Sequence, residues 1–493
     1  MLLLLPVELL ELILDHAIYE PPKISDRQLP ASTISTTLIS LVLTCRTIYR
    51  LLLPKLYPTL AVRTIPTPIC IFNPSLVQYS TTLVVLPSNQ RRRSSAQKRK
   101  AITALGTALE RFNNIQTLIL FTRSSSTLFK VANGYHLTSL TCEGRTLNYY
   151  VPNQWRLRSL SVQDCLPGPA LTAVLSANSA TLEYLALGQF GTKEHKPFPL
   201  MPKVRSLNLV GWDSEMIMRI SAGIRFDHLN TLQLVDGEGH PSFNQNAYTP
   251  LKEAGGLAGL RKLSIQRDIY EACAILELTD GLEELHLVWS QGGQPHHRQQ
   301  LARIIAAKCR GLKALSSTSP DVFTVQLLGM GLPFEAADLA MIATSCEGLE
   351  DVRIGVRHDH FHSTITALGL FTNLRHLHID LWAFGCGPYQ LSPLDRMRQD
   401  GNISREHRQA AVEWALETVK EGLQTVDGIS VTSHIMNHEV SREWIKPGAP
   451  VRDVCTGELR RRLKFPILGR GVWNDAFKPV GFGTTTWWSG VML

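Results

Sequence analysis

One short pattern recurs along the chain and constrains its fold more than any other property. From Ile115 onward, apolar residues fill positions 1, 4 and 6 of a short run, as in Ile115-Leu118-Leu120, Leu137-Leu140-Cys142 and Leu157-Leu160-Val162. The run recurs as Leu182-Leu185-Leu187, Val204-Leu207-Leu209, Leu229-Leu232-Leu234, Leu260-Leu263-Ile265 and Leu282-Leu285-Leu287. Leu312-Leu315-Ser317, Leu349-Val352-Ile354 and Leu374-Leu377-Ile379 bring it to eleven copies, whose starts lie 20 to 37 residues apart. Apolar positions 4 and 6 alternate with polar positions 3 and 5, which is strand periodicity. A short strand with one apolar side cannot bury that side alone, so copies must stack on one another. Periodicity of this kind predicts a single repeat architecture where length alone would predict about three domains.

The unit resembles the leucine-rich repeat, a short strand followed by a helix or 3₁₀ turn over about 20–29 residues. Two copies carry the second half of such a unit: Leu301 to Cys309 and Leu339 to Cys346 each form an apolar helical stripe that runs through Cys-x-x-Leu into the next strand. Both thiols are expected in the core as small hydrophobes. The resemblance implies an α/β fold, a leucine-rich-repeat solenoid over residues 113–385 with a parallel concave sheet and a helical or irregular convex side. Longer gaps after Leu229, Leu282 and Leu312 predict rim loops such as Asp236 to Pro250. Residues 63–112 read as a basic linker and an N-terminal cap helix carrying Ile102, Leu105, Leu109 and Phe112. Residues 386–493 read as a degenerate last repeat and a C-terminal cap or extension, with a helix from Glu406 to Gly422 and a last strand at Leu423-x-x-Val426. Trp444, Trp473, Trp487 and Trp488 follow among Pro and Gly.

The N-terminal segment is of another kind. Pro6 and Glu8 suit the first turn of a helix, and Leu5, Leu9, Leu12 and Ile13 fall at helical spacing, with Leu10 and Leu14 on a second face. A second dense apolar run covers Leu38 to Leu53, broken by Pro54-Lys55-Leu56-Tyr57. Leu5-Pro6-x-Glu8-Leu9, then Leu41-x-Leu43-Thr44-Cys45-Arg46-x-x-Tyr49, then Pro54-x-Leu56-Tyr57 resembles an F-box, in the variant carried by fungal proteins with divergent repeats. The resemblance covers about residues 4–60, inside a small all-α module at 1–62. It departs from the family in a longer stretch at residues 20–37 and in Tyr49 where a Trp is usual. It implies docking on a Skp-type adaptor, and through it on cullin and RING subunits, as the substrate receptor of an SCF ubiquitin ligase complex in ubiquitin-dependent protein degradation. By the same carry-over, Leu5, Pro6, Leu9, Ile13, Leu43, Cys45 and Leu56 supply adaptor contacts or the module's core. The alternative is a non-ligase repeat scaffold whose N-terminal helices only cap the first repeat.

Composition sets limits on other readings. Nine Cys in 493 residues is no disulfide framework and points to a reducing compartment, cytoplasmic or nuclear. The opening apolar run stops at Pro6 and Glu8 without a basic flank or a small-residue cleavage site, and no run reaches the ~20 residues of a membrane span. Of the net charge of +8, six positive charges sit in Arg91, Arg92, Arg93, Lys98, Arg99 and Lys100 (8 − 6 = 2 elsewhere), a nuclear-localisation candidate or a solvated loop rather than a nucleic-acid face. Phosphate-loop, dinucleotide, HExxH and GxSxG signatures do not occur, so the chain reads as a non-enzyme with no cofactor.

Positions 3, 5 and 7 of each strand point away from the apolar side. Early copies place small groups there, such as Ser139, Thr141, Ser161 and Asn208; later copies place Glu284, His286, Asp351, Arg353, His376, His378 and Asp380. With neighbouring strands about 4.8 Å apart, Asp351 and Arg353 are expected beside His376 and His378. This charged half is the expected target-binding patch, an ordinary solvated sheet face being the alternative. Arg357 to His362, with His at alternate positions, invites a metal reading, but without further ligands at zinc spacing it reads as a polar loop.

Overall fold

The computed structural model describes residues 59–63, 81–86, 114–120, 136–149, 155–163, 169–188, 198–211, 219–235, 252, 256–267, 269–289, 295–318, 334–357, 360–382, 405–423, 425–435 and 438–445. The adaptor-contact positions Leu5 to Leu56, the basic run at 91–100, the loop at 236–250 and the tail beyond Ile445 lie outside these residues.

The apolar 1-4-6 pattern becomes an open parallel sheet with helices on its apolar side, an α/β fold compatible with a leucine-rich-repeat solenoid. The eleven predicted strands are β3 (Thr117–Leu120), β4 (Ser139–Glu143), β5 (Ser159–Gln163), β6 (Tyr184–Gly188), β7 (Ser206–Val210), β8 (Thr231–Val235), β9 (Lys262–Arg267), β10 (Glu284–Trp289), β11 (Ala314–Thr318), β12 (Asp351–Arg357) and β13 (His376–Trp382). All lie in one 15-stranded sheet in strict chain order. The sheet runs past the predicted repeats at both ends. β1 (Thr59–Arg63) and β2 (Thr82–Leu86) pair in parallel ahead of β3, inside the stretch read as module and linker. β14 (Gly428–Ile435) and β15 (His438–Ile445) follow, and β14–β15 is antiparallel, so the last pair among the described strands reverses direction.

The register explains why so little sequence specifies so much structure. Apolar residues of neighbouring copies stand directly opposite, for example Leu263, Leu285 and Leu315, so positions 1, 4 and 6 form continuous buried rows within one core. Each position-2 carbonyl accepts two N–H groups of the next copy: Glu350 O takes both Arg375 N at 2.8 Å and His376 N at 3.0 Å. The same bifurcated bond recurs from Thr81 to Arg375. Three residues ahead of position 1, a buried residue closes a tight turn whose carbonyl takes the position-1 N–H, at Met201, Phe226, Leu257, Cys309, Cys346 and Phe371. Gly259 sits in one such turn because a Cβ there would lie 2.3 Å from the Asp227 carbonyl oxygen of the preceding copy.

Among the described residues six α-helices lie on the apolar side: α1 (Pro169–Asn178), α2 (Ile269–Leu276), α3 (Pro295–Lys308), α4 (Ala336–Ser345), α5 (Phe361–Leu368) and α6 (Arg405–Gly422). α2 to α5 pack on one another in order. Two local expectations change. His360 to His362 is not a polar loop. Phe361, Thr364, Ile365 and Leu368 bury one face of α5, while Phe361 and His362 pack against Trp414 of α6. Leu423 and Val426 are not a strand: Leu423 N still bonds the helical Val419 O, and Val426 N closes the turn. Val426-Ile429-Val431 is thus a further copy of the 1-4-6 pattern, shifted from the place expected.

Candidate functional site

The polar side of the sheet is where sequence placed the candidate site, and its chemistry follows from burial. Along position 5, Thr141, Ser161, Asn208, Ser316, Arg353 and His378 are all buried, so this face is not uniformly solvated. In the first half the buried groups are small and neutral. Asn208 donates from Nδ2 to Gln233 Oε1 at 3.1 Å, linking β7 to β8. Tyr184 lies beside it, its phenol pushed up to about 12 by burial despite the hydrogen bond to Asn208.

The second half brings the charged candidates together. Asp351 stands opposite His376, and Arg353 opposite His378, as the spacing implied. His376 Nδ1 lies 2.7 Å from Asp351 Oδ1. Arg353 binds Asp380 with two nitrogens, Nε at 3.0 Å and Nη2 at 3.2 Å, and His378 Nε2 lies 2.9 Å from Asp380 Oδ1. The Arg353 and Asp380 side chains are 3% and 8% exposed, so this is a buried, bidentate ion pair with a histidine on the same carboxylate. Such geometry is needed when ions leave water, because desolvation costs several kcal/mol per charge before pairing returns it.

Glu284 and His286 on β10 stand apart from that cluster. Glu284 pairs with Lys262 at 3.0 Å, and His286 lies 3.9 Å from Glu284. The Glu284, His286 and His376 side chains keep 13%, 15% and 19% exposure, the largest among the seven candidates. The diagonal reach of Arg353 to Asp380, two positions along the next strand, was missed from sequence. A signal existed, since an acid two residues after His378 on the same strand face can be shared by Arg353 and His378.

Beneath the sheet, Cys309 and Cys346 are buried in equivalent turns, and Cys346 Sγ donates to the Cys309 carbonyl at 3.3 Å. Burial pushes their thiols up to about 12 and about 11, so both are packing groups and not nucleophiles. Among the described residues no group of three or more His, Cys, Asp or Glu is placed to hold a metal ion, and no helix is long and apolar enough to cross a membrane.

No protein-family model matches the chain, and no curated protein is similar to it. A solved structure of a Bacteroides fragilis protein from a structural genomics programme aligns at 15% identity with a TM-score of 0.24. The alignment covers 49% of this chain and 60% of that one. A likeness at that level carries no argument about fold or function.

Proposed function

We propose that the chain is the target-recognition subunit of an SCF-type, cullin-RING ubiquitin ligase, non-catalytic itself. It holds a Skp-type adaptor through residues 4–60 and a target protein through the polar face of a leucine-rich-repeat solenoid. One observation supports this most: the sheet takes up at Thr59, directly where the F-box-like pattern ends at Leu56-Tyr57, so adaptor-binding and target-binding parts are joined without a spacer. An extended stack also offers what a receptor needs, a long surface of parallel strands whose outward side chains vary copy by copy.

Burial divides the labour among the candidate residues. Glu284, His286 and His376 are within reach of a bound target, whereas Asp351, Arg353, His378 and Asp380 lie beneath and fix the strands that carry them. Co-expression of the full chain with a Skp-type adaptor tests the reading. A stoichiometric complex on size exclusion is expected, and it should be lost in Leu9→Asp/Leu43→Asp. Circular dichroism must match the wild type, since those charges can also unfold the module. Separate elution of well-folded wild type and adaptor would overturn the ligase reading in favour of a repeat scaffold.

A further inference from the structure

The second position of each repeat has no place in the target surface, yet its residues follow a rule. From β9 to β14 they are Arg261, Glu283, Lys313, Glu350, Arg375 and Asp427, a strict alternation of sign with no net charge. Ahead of these, the order Arg158, Glu183, Arg205 also alternates, and the neutral Asn230 separates the two runs. Each of these residues is also the backbone anchor of its copy, accepting or donating the inter-copy bonds described above. Consecutive copies therefore carry their charges one strand spacing apart. Glu283 Oε2 takes Lys313 Nζ at 2.9 Å, and Glu283 Oε1 lies 3.9 Å from Arg261 Nε.

We propose that this row is a charge-order lock, an exposed device that favours pairing of each strand with its neighbour in the chain over the strand one copy further on. Apolar rows alone do not provide that discrimination, because positions 1, 4 and 6 are Leu, Ile or Val in nearly every copy, and a strand that skipped a copy would still meet apolar partners. A skipped copy would, however, set Arg261 against Lys313, or Glu283 against Glu350. Single exposed pairs contribute little, but the row repeats the same preference at every step. Asn230 is the one place where the order lacks its acid, between Arg205 and Arg261. Asn230 is exposed, and its backbone keeps the usual bonds, its N–H to Arg205 O and its carbonyl taking Arg261 N and Lys262 N, so its side chain can change without disturbing the ladder.

Thermal unfolding of the full chain at low and at ~1 M salt tests the lock, since ~1 M salt screens charges beyond ~3 Å. The double variant Glu283→Lys/Lys313→Glu keeps composition and net charge but puts like charges side by side at both 261/283 and 313/350. It is expected to melt about 2 °C below wild type at low salt and with wild type at ~1 M. Asn230→Asp, which completes the alternation, is expected to melt about 1 °C above wild type at low salt only. A double variant that melts with wild type at low salt overturns the proposal. So does a deficit that survives ~1 M salt, or an Asn230→Asp chain that gains nothing at low salt.

Discussion

On β4 to β7 the central column of the polar face carries Thr141, Ser161, Ala186 and Asn208, whereas on β11 to β13 it carries Ser316, Arg353 and His378. All seven are buried. The first set meets burial with small neutral groups, the second with ions and rings tied into one network. The contrast teaches that a buried sheet face tolerates an unpaired hydroxyl, as at Ser161, whose Oγ makes no hydrogen bond. An unpaired ion it does not tolerate, so Arg353 brings with it both Asp380 and the histidine on the same carboxylate.

The largest effect expected from this contrast is in the charged half. Arg353→Met leaves Asp380 buried without its bidentate partner and should cost about 3–5 kcal/mol, read as a fall in the urea midpoint. In the neutral half, Asn178 is the polar group with most to lose. Its Oδ1 takes Leu157 N at 2.8 Å while its Nδ2 donates to Val174 O at 2.8 Å, tying α1 to the start of β5. Asn178→Ala orphans the buried Leu157 N–H and should cost about 1–3 kcal/mol by the same assay. Ser161→Ala removes a hydroxyl that has no partner and should change stability by less than about 0.5 kcal/mol; a large loss would erase the distinction between the halves.

Two smaller effects sharpen the picture away from the polar face. Cys309 and Cys346 should resist alkylation at pH 8 in the native chain and react only on unfolding, as followed by mass spectrometry in increasing urea. Glu283, held below the usual carboxylate range by its hydrogen bond from Lys313, contributes stability that is present once a free carboxylate would be ionised and is lost as pH falls through its own lowered value. The low-salt penalty of the Glu283→Lys/Lys313→Glu variant should therefore shrink as pH falls through that lowered value, where thermal scans would show the curves converge.

Much of the sheet was legible because its specification is local: apolar residues at 1, 4 and 6 predicted the eleven strands from β3 to β13, and Cys309 and Cys346 were expected in the core, where they lie. The ends were less legible. β1 and β2 fall in stretches whose Pro and basic residues dominated the reading, and Val426-Ile429-Val431 was obscured by Gly428 at its third position. α5 was hidden by His360 and His362, polar residues that sit at its start while Phe361 between them does the packing. For the candidate site, the register Asp351 to His376 and Arg353 to His378 followed from strand spacing. Burial of that face did not, because a Ser, Thr or His outside the apolar pattern reads as solvated until the neighbouring strands are in place.

The most direct measurement is a double-mutant cycle on Arg353 and Asp380 by urea unfolding of the full chain. If the charged half of the polar face is an internal clamp, Arg353→Met and Asp380→Leu should each lose about 3–5 kcal/mol, and the double variant should return close to wild type because no lone ion remains. Single variants that unfold with the wild type, or losses that simply add, would show that neither ion depends on the other and would contradict the account.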